Sequence, residues 1–120
     1  MTTPDKWSIV KIKSDDGCIY KVFANFYGGY LSGDSWLLNS GIESYTETKD
    51  YYLFNGFSGS VYQCYKKCEG RSPYGSRVYD GLIEKLPPKT MRTISVRTFK
   101  KAFNAKPTTL SRYKANGLAY

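Results

Sequence analysis

The sequence predicts an α+β fold in which an N-terminal antiparallel β-meander of four to five strands precedes short helices and a basic C-terminal helical segment. Three observations support this prediction. Apolar and polar residues alternate in the first half, the spacing becomes helical after Gly56, and no acidic residue follows Glu84. A chain of 120 residues is expected to form one domain. We divide it into a β-rich part (1–57), two short helices (58–88) and a basic segment (89–120).

The first two predicted strands form a β-hairpin. A β-branched run from Trp7 to Lys13 is followed by the turn sequence Asp15-Asp16-Gly17 and by an alternating run from Cys18 to Tyr27. Further strands are predicted at residues 35–38, 42–48 and 51–54, with turn residues between them. The face of the second strand that we expect to lie against the core carries Cys18, Tyr20, Val22, Ala24 and Phe26.

Two short helices are predicted in the middle of the chain. Near residues 60–69, Ser60 and Gln63 have capping-box spacing, and apolar residues at 61, 64, 65 and 68 recur at helical intervals. The second helix begins at Ser72-Pro73 or at Ser76 and ends before Pro87-Pro88. Its apolar stripe consists of Val78, Tyr79, Leu82, Ile83 and Leu86.

The charge distribution indicates a polyanionic partner. The net charge is +8, and nine Lys and Arg side chains follow Glu84 without an acid between them. Nucleic acid fits, because each phosphate that is neutralised releases a counterion. The alternative is that these lysines only keep a small protein soluble. We therefore expect DNA or RNA as a partner, and no membrane, since no apolar run is long enough to span one.

The composition favours a binding protein over an enzyme. The chain has no histidine, which excludes imidazole metal ligands and His-dependent catalytic triads. Cys64 and Cys68 have CxxxC spacing, but only Cys18 remains as a further thiol ligand, so we interpret them as buried apolar residues. No catalytic residue, no metal ligand and no cofactor is predicted. The remaining route to an enzyme is a carboxylate pair drawn from Asp34, Glu43, Glu47 and Asp50.

The aromatic residues leave another alternative open. Rings at positions 23, 26, 27 and 30, or at 51, 52 and 54, could stack on single-stranded bases or anchor a protein partner. Packing in the core is the competing interpretation, because many aromatic residues of an amphipathic strand belong there.

Residues 96–117 predict two helices. The first has apolar residues at 99, 102 and 103, and Pro107 requires it to end near Asn104 or Ala105. The second begins at Thr108 or Thr109 and closes at Asn116-Gly117. The alternative is two ordinary short helices, or a terminal strand, docked on the sheet through their apolar residues.

This pair of helices resembles a helix-turn-helix of the phage-repressor type, with Thr109-Leu110-Ser111-Arg112-Tyr113 opening the recognition helix. Lysine at 100 and asparagine at 104 depart from the small residue and the glycine of that family. The resemblance implies DNA binding in which Arg112 reads base edges and nearby lysines contact phosphates. The nucleic-acid-binding residues are then Arg97, Lys100, Lys101, Lys106, Thr108, Thr109, Ser111, Arg112 and Lys114. Removal of residues 96–120 is expected to abolish binding and leave the β-rich part folded.

A looser resemblance covers the middle of the chain. The stretches 32–41, 51–57 and 58–62 resemble small accessory proteins of tailed bacteriophages. The resemblance implies an early protein in the cytoplasm of a bacterial host, a compartment that also suits three cysteines without a visible export signal. It also implies an alternative function, the stoichiometric inhibition of a host protein or ribonucleoprotein by protein–protein binding, as in an anti-CRISPR-like inhibitor.

Overall fold

The first hairpin forms where the turn sequence predicts it. The computed structural model describes residues 1–28 and 33–105. Strands β1 (Lys6–Ser14) and β2 (Gly17–Phe26) pair antiparallel in continuous register. Gly17 has a φ of 131°, a backbone conformation that L side chains rarely adopt. The glycine at the end of the turn is therefore required, and the predicted hairpin is confirmed.

Seven strands and two helices follow one another in the described part of the chain. After β1 and β2 come β3 (Ser35–Leu38), β4 (Ile42–Glu47), β5 (Tyr51–Gly56) and β6 (Val61–Tyr65). A 3-10 turn (Lys66–Cys68), helix α1 (Pro73–Lys85), strand β7 (Met91–Ile94) and helix α2 (Val96–Ala105) complete the order. One antiparallel sheet has the order β3-β2-β1-β7 and the other β4-β5-β6.

Helix α1 confirms the second predicted helix. The Oγ of Ser72 accepts a hydrogen bond from the N–H of Gly75 at 2.9 Å, and Pro73 occupies the first turn. The stripe of Val78, Tyr79, Leu82 and Ile83 packs against the four-stranded sheet. Leu86, the last member of the predicted stripe, lies beyond the helix and is 37% exposed.

The helix predicted near residues 60–69 is wrong, because strand β6 occupies half of that segment and only a 3-10 turn follows it. Tyr62 and Cys64 are buried while the residues on either side of each are partly exposed, which is the two-residue period of a strand. Tyr62 lies opposite Phe54 of β5, and Cys64 lies opposite Tyr52. The spacing of the apolar residues in this segment fits both a helix and a strand. The pairing with β5 makes the segment a strand.

The fold-class prediction is wrong as well, because the described chain is mostly β. The N-terminal meander is confirmed, but its five strands are divided between two sheets. The basic segment expected to be helical over residues 89–120 is not helical throughout its described part (89–105), because β7 opens it and pairs with β1 before α2 begins. This pairing satisfies backbone groups of β1 that the hairpin leaves unpaired, which explains why residues 91–94 form a strand.

The four-stranded sheet has a buried core on each of its two faces. Helix α1 covers one face, where Val10, Phe23 and Met91 form a small core. The three-stranded sheet and α2 cover the other face. The larger core on that side contains Trp7, Ile9, Tyr20, Val22, Ala24, Ile42, Tyr52, Phe54, Tyr62, Cys64, Ile94 and Phe99. The expected core side of β2 is therefore confirmed at positions 20, 22 and 24, and the opposite side is buried too.

Helix α2 belongs to this larger core. Phe99 is fully buried, and its ring centroid lies 5.4 Å from that of Tyr20 and 5.5 Å from that of Tyr45. Glu69 accepts the N–H of Val96 at 3.0 Å at the start of the helix. Removal of residues 96–120 would delete Phe99, so the expectation that the β-rich part stays folded without them is corrected. None of the described helices is long and apolar enough to span a membrane.

Candidate functional site

Two lysines continue the buried face of β1 beyond the core. Trp7 and Ile9 are fully buried beneath the three-stranded sheet, and Lys11 and Lys13 follow on the same face at two-residue spacing. Lys11 is half-buried and Lys13 is exposed. Their Cα atoms are about 6.7 Å apart along the strand. Where the three-stranded sheet no longer covers this face of β1, the side chains on it change from apolar to basic.

Strand β7 adds two more cations at the same place. Arg92 lies directly opposite Lys11 in the β1–β7 register, and the N–H of Lys13 donates to the carbonyl of Thr90 at 2.8 Å. Lys89 lies in the turn that precedes β7, with a φ of 65°. The four side chains line a groove of about 420 Å³. We call this site the basic groove: Lys11, Lys13, Lys89 and Arg92.

The described lining of the groove consists of four cations. No carboxylate lines it in the part of the chain that the structure describes. Like charges on directly opposite residues of an antiparallel pair are destabilising, on a scale of roughly 0.2–1 kcal/mol for such pairs. A bound anion removes this repulsion, so the arrangement suits a ligand with several negative charges.

The groove borders the larger core at Tyr20. Burial raises the pKa of this phenol, the neighbouring Cys18 raises it further, and the Arg92 guanidinium lowers it. The positive charge of Arg92 therefore acts on Tyr20, which lies at the edge of the larger core. The Tyr20 ring also contacts Phe103 at a centroid distance of 6.3 Å, which places the last turn of α2 beside the groove.

The residues predicted from the sequence lie elsewhere or outside the described chain. Lys100 pairs with Glu47 at 3.0 Å, and the same carboxylate binds Lys66 at 2.7 Å. Hydrogen bonds from Lys66 and then Lys100 lower the pKa of Glu47, and the bond to Glu47 raises the pKa of Lys100. Lys100 therefore helps to fix α2 on the three-stranded sheet, which is a structural role that the sequence did not reveal.

Arg97 and Lys101 are the two other predicted residues that the structure describes. Both are exposed on α2, and neither lines the basic groove. Six predicted residues lie outside the described residues: Lys106, Thr108, Thr109, Ser111, Arg112 and Lys114. The recognition helix of the predicted helix-turn-helix falls among them.

Sequence reasoning missed the basic groove, although a signal was present. The alternation from Trp7 to Lys13 places lysines 11 and 13 on the same face as Trp7 and Ile9. In the sequence, Lys89 and Arg92 stand out only as part of the positive charge of the C-terminal residues. Their meeting with Lys11 and Lys13 depends on the β1–β7 pairing, which no local pattern indicates.

The structure also shows where the candidate thiols, aromatic rings and carboxylates named from the sequence lie. Cys64 is fully buried, and its burial raises the pKa of its thiol far above the usual range, with Cys68 adding to the effect. Phe23, Tyr52 and Phe54 are buried, so these rings are core residues rather than stacking platforms. Asp34 accepts the N–H of Gly28 at 3.3 Å. Among the described residues, no three Cys, Asp or Glu side chains converge to hold a metal ion.

No protein-family model, no curated protein and no solved structure matches this chain.

Proposed function

We propose that this protein binds nucleic acid without catalysis and that the basic groove holds the phosphate backbone. The observation that carries the proposal is the placement of Lys11 opposite Arg92 on a sheet face that is apolar a few residues earlier. A polyanion offsets the repulsion between these cations and releases counterions on binding. Sequence-independent contact with the backbone is the mode that such a groove supports.

The residues after Ala105 contribute further positive charge to binding in this proposal. The described chain ends at Ala105, in the helical turn that follows the contact between Phe103 and Tyr20 beside the groove. The next residues include Lys106, Arg112 and Lys114 and no acid. Truncation after Ala105 retains Phe99 and the core, so it tests the contribution of these residues without removing α2.

Fluorescence anisotropy with labelled duplex DNA, single-stranded DNA and RNA tests the proposal. We expect the variant Lys11→Gln/Arg92→Gln to bind about tenfold more weakly than wild type or worse. The charge-matched control is Lys67→Gln/Arg77→Gln, which removes two exposed cations outside the groove. Equal losses in both double variants would show that net charge, rather than the groove, governs binding.

A chain truncated after Ala105 separates the contribution of the basic groove to binding from that of the residues after Ala105. We expect residues 1–105 to bind with reduced affinity, and Lys11→Gln/Arg92→Gln to weaken that residual binding further. If truncation abolishes binding while circular dichroism shows an intact fold, the C-terminal residues are the binding site and the groove is not.

The outer face of the three-stranded sheet favours a second candidate function, inhibition of another protein by direct binding. The side chains that the strand registers place on this face are uncharged: Ser44, Thr46, Tyr51, Leu53, Asn55, Val61, Gln63 and Tyr65. Tyr51 and Tyr65 pair across the strands with ring centroids 5.5 Å apart. Depletion of charge and enrichment in tyrosine are typical of interface cores. A protein captured from nuclease-treated bacterial lysate by wild type, but not by Leu53→Lys, would support this function.

A further inference from the structure

The basic groove holds more positive charge than one nucleic-acid strand neutralises. Lys11 and Lys13 are about 6.7 Å apart along β1. Arg92 lies opposite Lys11, and Lys89 precedes β7 in the turn. One strand of a duplex presents a phosphate about every 3.4 Å of the helix axis, so about two phosphates lie over the length of the groove. Two of the four cations are then left without a partner.

The groove is closed at one end. On the core-facing side of β1, Ile9 comes two residues before Lys11, and on β7 Ile94 comes two residues after Arg92. These two isoleucines lie opposite each other and belong to the larger core, where Ile9 is fully buried and Ile94 is 8% exposed. A polyanion that lies along the strands therefore enters from the turn before β7 and stops at the core. Such a groove fits the end of a chain better than its interior.

Lys89 occupies a backbone position that usually holds glycine. The N–H of Thr90 donates to the carbonyl of Pro87 at 3.2 Å, which closes a four-residue turn with Lys89 in its third position. The φ of Lys89 is 65°, the only positive value at a non-glycine residue in the described part of the chain. Glycine is the usual residue where the third position of a turn has a positive φ. The lysine makes the turn less favourable and gives the groove an ammonium group, and local rules are typically broken in this way at binding sites.

We propose that the basic groove binds the 5′-terminal oligophosphate of a nucleic acid. This inference rests on the proposed function, because it takes the groove as the place where the phosphates of the chain bind. A 5′-triphosphate carries about four negative charges at pH 7, since its terminal group contributes about 1.5–2 and each inner group about one. Its charge matches that of the four cations, and its place at the end of a chain fits the closed end of the groove.

A free nucleoside triphosphate presents the same oligophosphate group. The described lining of the groove contains no aromatic side chain on which a base could stack. A free nucleotide is thus held by its phosphates alone, whereas a nucleic acid adds the backbone phosphates that follow its end. The net charge of +8 favours the longer polyanion. The 5′ end of a nucleic acid is therefore the source that we expect.

Fluorescence anisotropy with three RNAs of one sequence tests the inference. The RNAs carry a 5′-triphosphate, a 5′-monophosphate or a 5′-hydroxyl and a label at the 3′ end, so every contact beyond the 5′ end is the same. We expect wild type to bind the triphosphate form about tenfold more tightly than the hydroxyl form, or better, at physiological salt. Lys11→Gln/Arg92→Gln should remove most of this difference. Lys67→Gln/Arg77→Gln, the matched control, should keep it.

The outcomes separate this inference from the proposed function. If wild type binds all three RNAs equally and Lys11→Gln/Arg92→Gln weakens all of them equally, the groove binds backbone phosphates and the inference is wrong. If wild type binds no RNA even at low salt, both are wrong. Competition with unlabelled ATP tests the source of the oligophosphate. Displacement of the triphosphate RNA by an equal concentration of ATP would contradict a nucleic-acid end as the ligand.

A substitution at Lys89 tests the groove without harming the fold. Glycine suits the turn, so Lys89→Gly should unfold at a urea concentration no lower than wild type. Its affinity for the triphosphate RNA should fall about tenfold, because one charged contact is lost. Lys89→Arg keeps the charge and should bind like wild type. If Lys89→Gly binds the triphosphate RNA like wild type, or Lys89→Arg binds it as weakly as Lys89→Gly, the inference is overturned.

Discussion

Lys11 and Arg92 lie directly opposite each other on β1 and β7, and both face the side of the sheet that holds the larger core. Two residues earlier on β1, Ile9 lies opposite Ile94 in the same register, and that pair is buried. The same two strands therefore build the core at one end and a basic surface at the other. In the function that we propose, binding and stability make opposite demands on the Lys11–Arg92 pair, and substitutions can separate these demands.

Substitution of Lys11 by threonine is expected to stabilise the fold and weaken binding to nucleic acid. Removal of the like-charge contact with Arg92 should raise the free energy of unfolding by about 0.5 kcal/mol. Urea unfolding measures the change, with Lys6→Thr as control because Lys6 lies opposite the uncharged Asn25. If Lys11→Thr gains no more stability than Lys6→Thr, the two cations do not repel each other in the folded protein.

Substitution of Phe99 by alanine is expected to cost about 3–5 kcal/mol of stability, because a fully buried ring is removed from a well-packed site. Chemical denaturation monitored by circular dichroism gives the value. Lys101→Ala, an exposed position on the same helix, should change stability by less than about 0.5 kcal/mol. A small effect at Phe99 would mean that α2 is not part of the core.

Two glycines of α1 are expected to respond in opposite directions to alanine. A Cβ at Gly75 would collide with the buried side chain of Asn25, whose Oδ1 accepts the N–H of Ser72 at 3.0 Å. Gly75→Ala should therefore destabilise by about 1–3 kcal/mol. A Cβ at Gly81 meets open space, so Gly81→Ala should stabilise by about 0.5–1 kcal/mol. Thermal unfolding of the two variants shows the sign of each change, and a stabilised Gly75→Ala would contradict the packing of α1.

The ion pairs of Glu47 are expected to give stability that disappears in acid. The folded-state pKa of this carboxyl is lowered, first by Lys66 and then by Lys100. The contribution is therefore fully present above the unfolded pKa, about 4.3 for glutamate, and is lost as pH falls through the lower folded value. Glu47→Gln should be less stable than wild type at pH 7 and match it at strongly acidic pH. The control is Glu84→Gln, which removes an exposed carboxylate that takes no part in these ion pairs.

Sequence signals from neighbouring residues correctly predict the β1–β2 hairpin and helix α1. The Asp15-Asp16-Gly17 turn predicts the β1–β2 hairpin, and the Ser72 cap with Pro73 predicts α1. Strand β6 was mistaken for a helix because its apolar residues fit both periods, and only its distant neighbour β5 distinguishes them. Strand β7 has two exposed polar residues between Met91 and Ile94, so its pairing with β1 is invisible in the local sequence.

The candidate site was less predictable than the fold because it depends on that same pairing. The sequence indicated the sign of the charge and the expected class of partner. It did not indicate that Lys11 and Lys13 join Lys89 and Arg92, since about eighty residues separate the two pairs in the chain. It also assigned Lys100 to a phosphate, whereas Glu47 holds that ammonium group.

The salt dependence of binding to duplex DNA tests the central claim most directly. Each phosphate contact contributes about 0.9 to the slope of log affinity against log salt concentration. Loss of two contacts in Lys11→Gln/Arg92→Gln should therefore make the slope shallower by about 1.8 than that of wild type. The control Lys67→Gln/Arg77→Gln should keep the wild-type slope. Equal slopes for wild type and Lys11→Gln/Arg92→Gln, or no binding by wild type even at low salt, would contradict a phosphate-binding role for the groove.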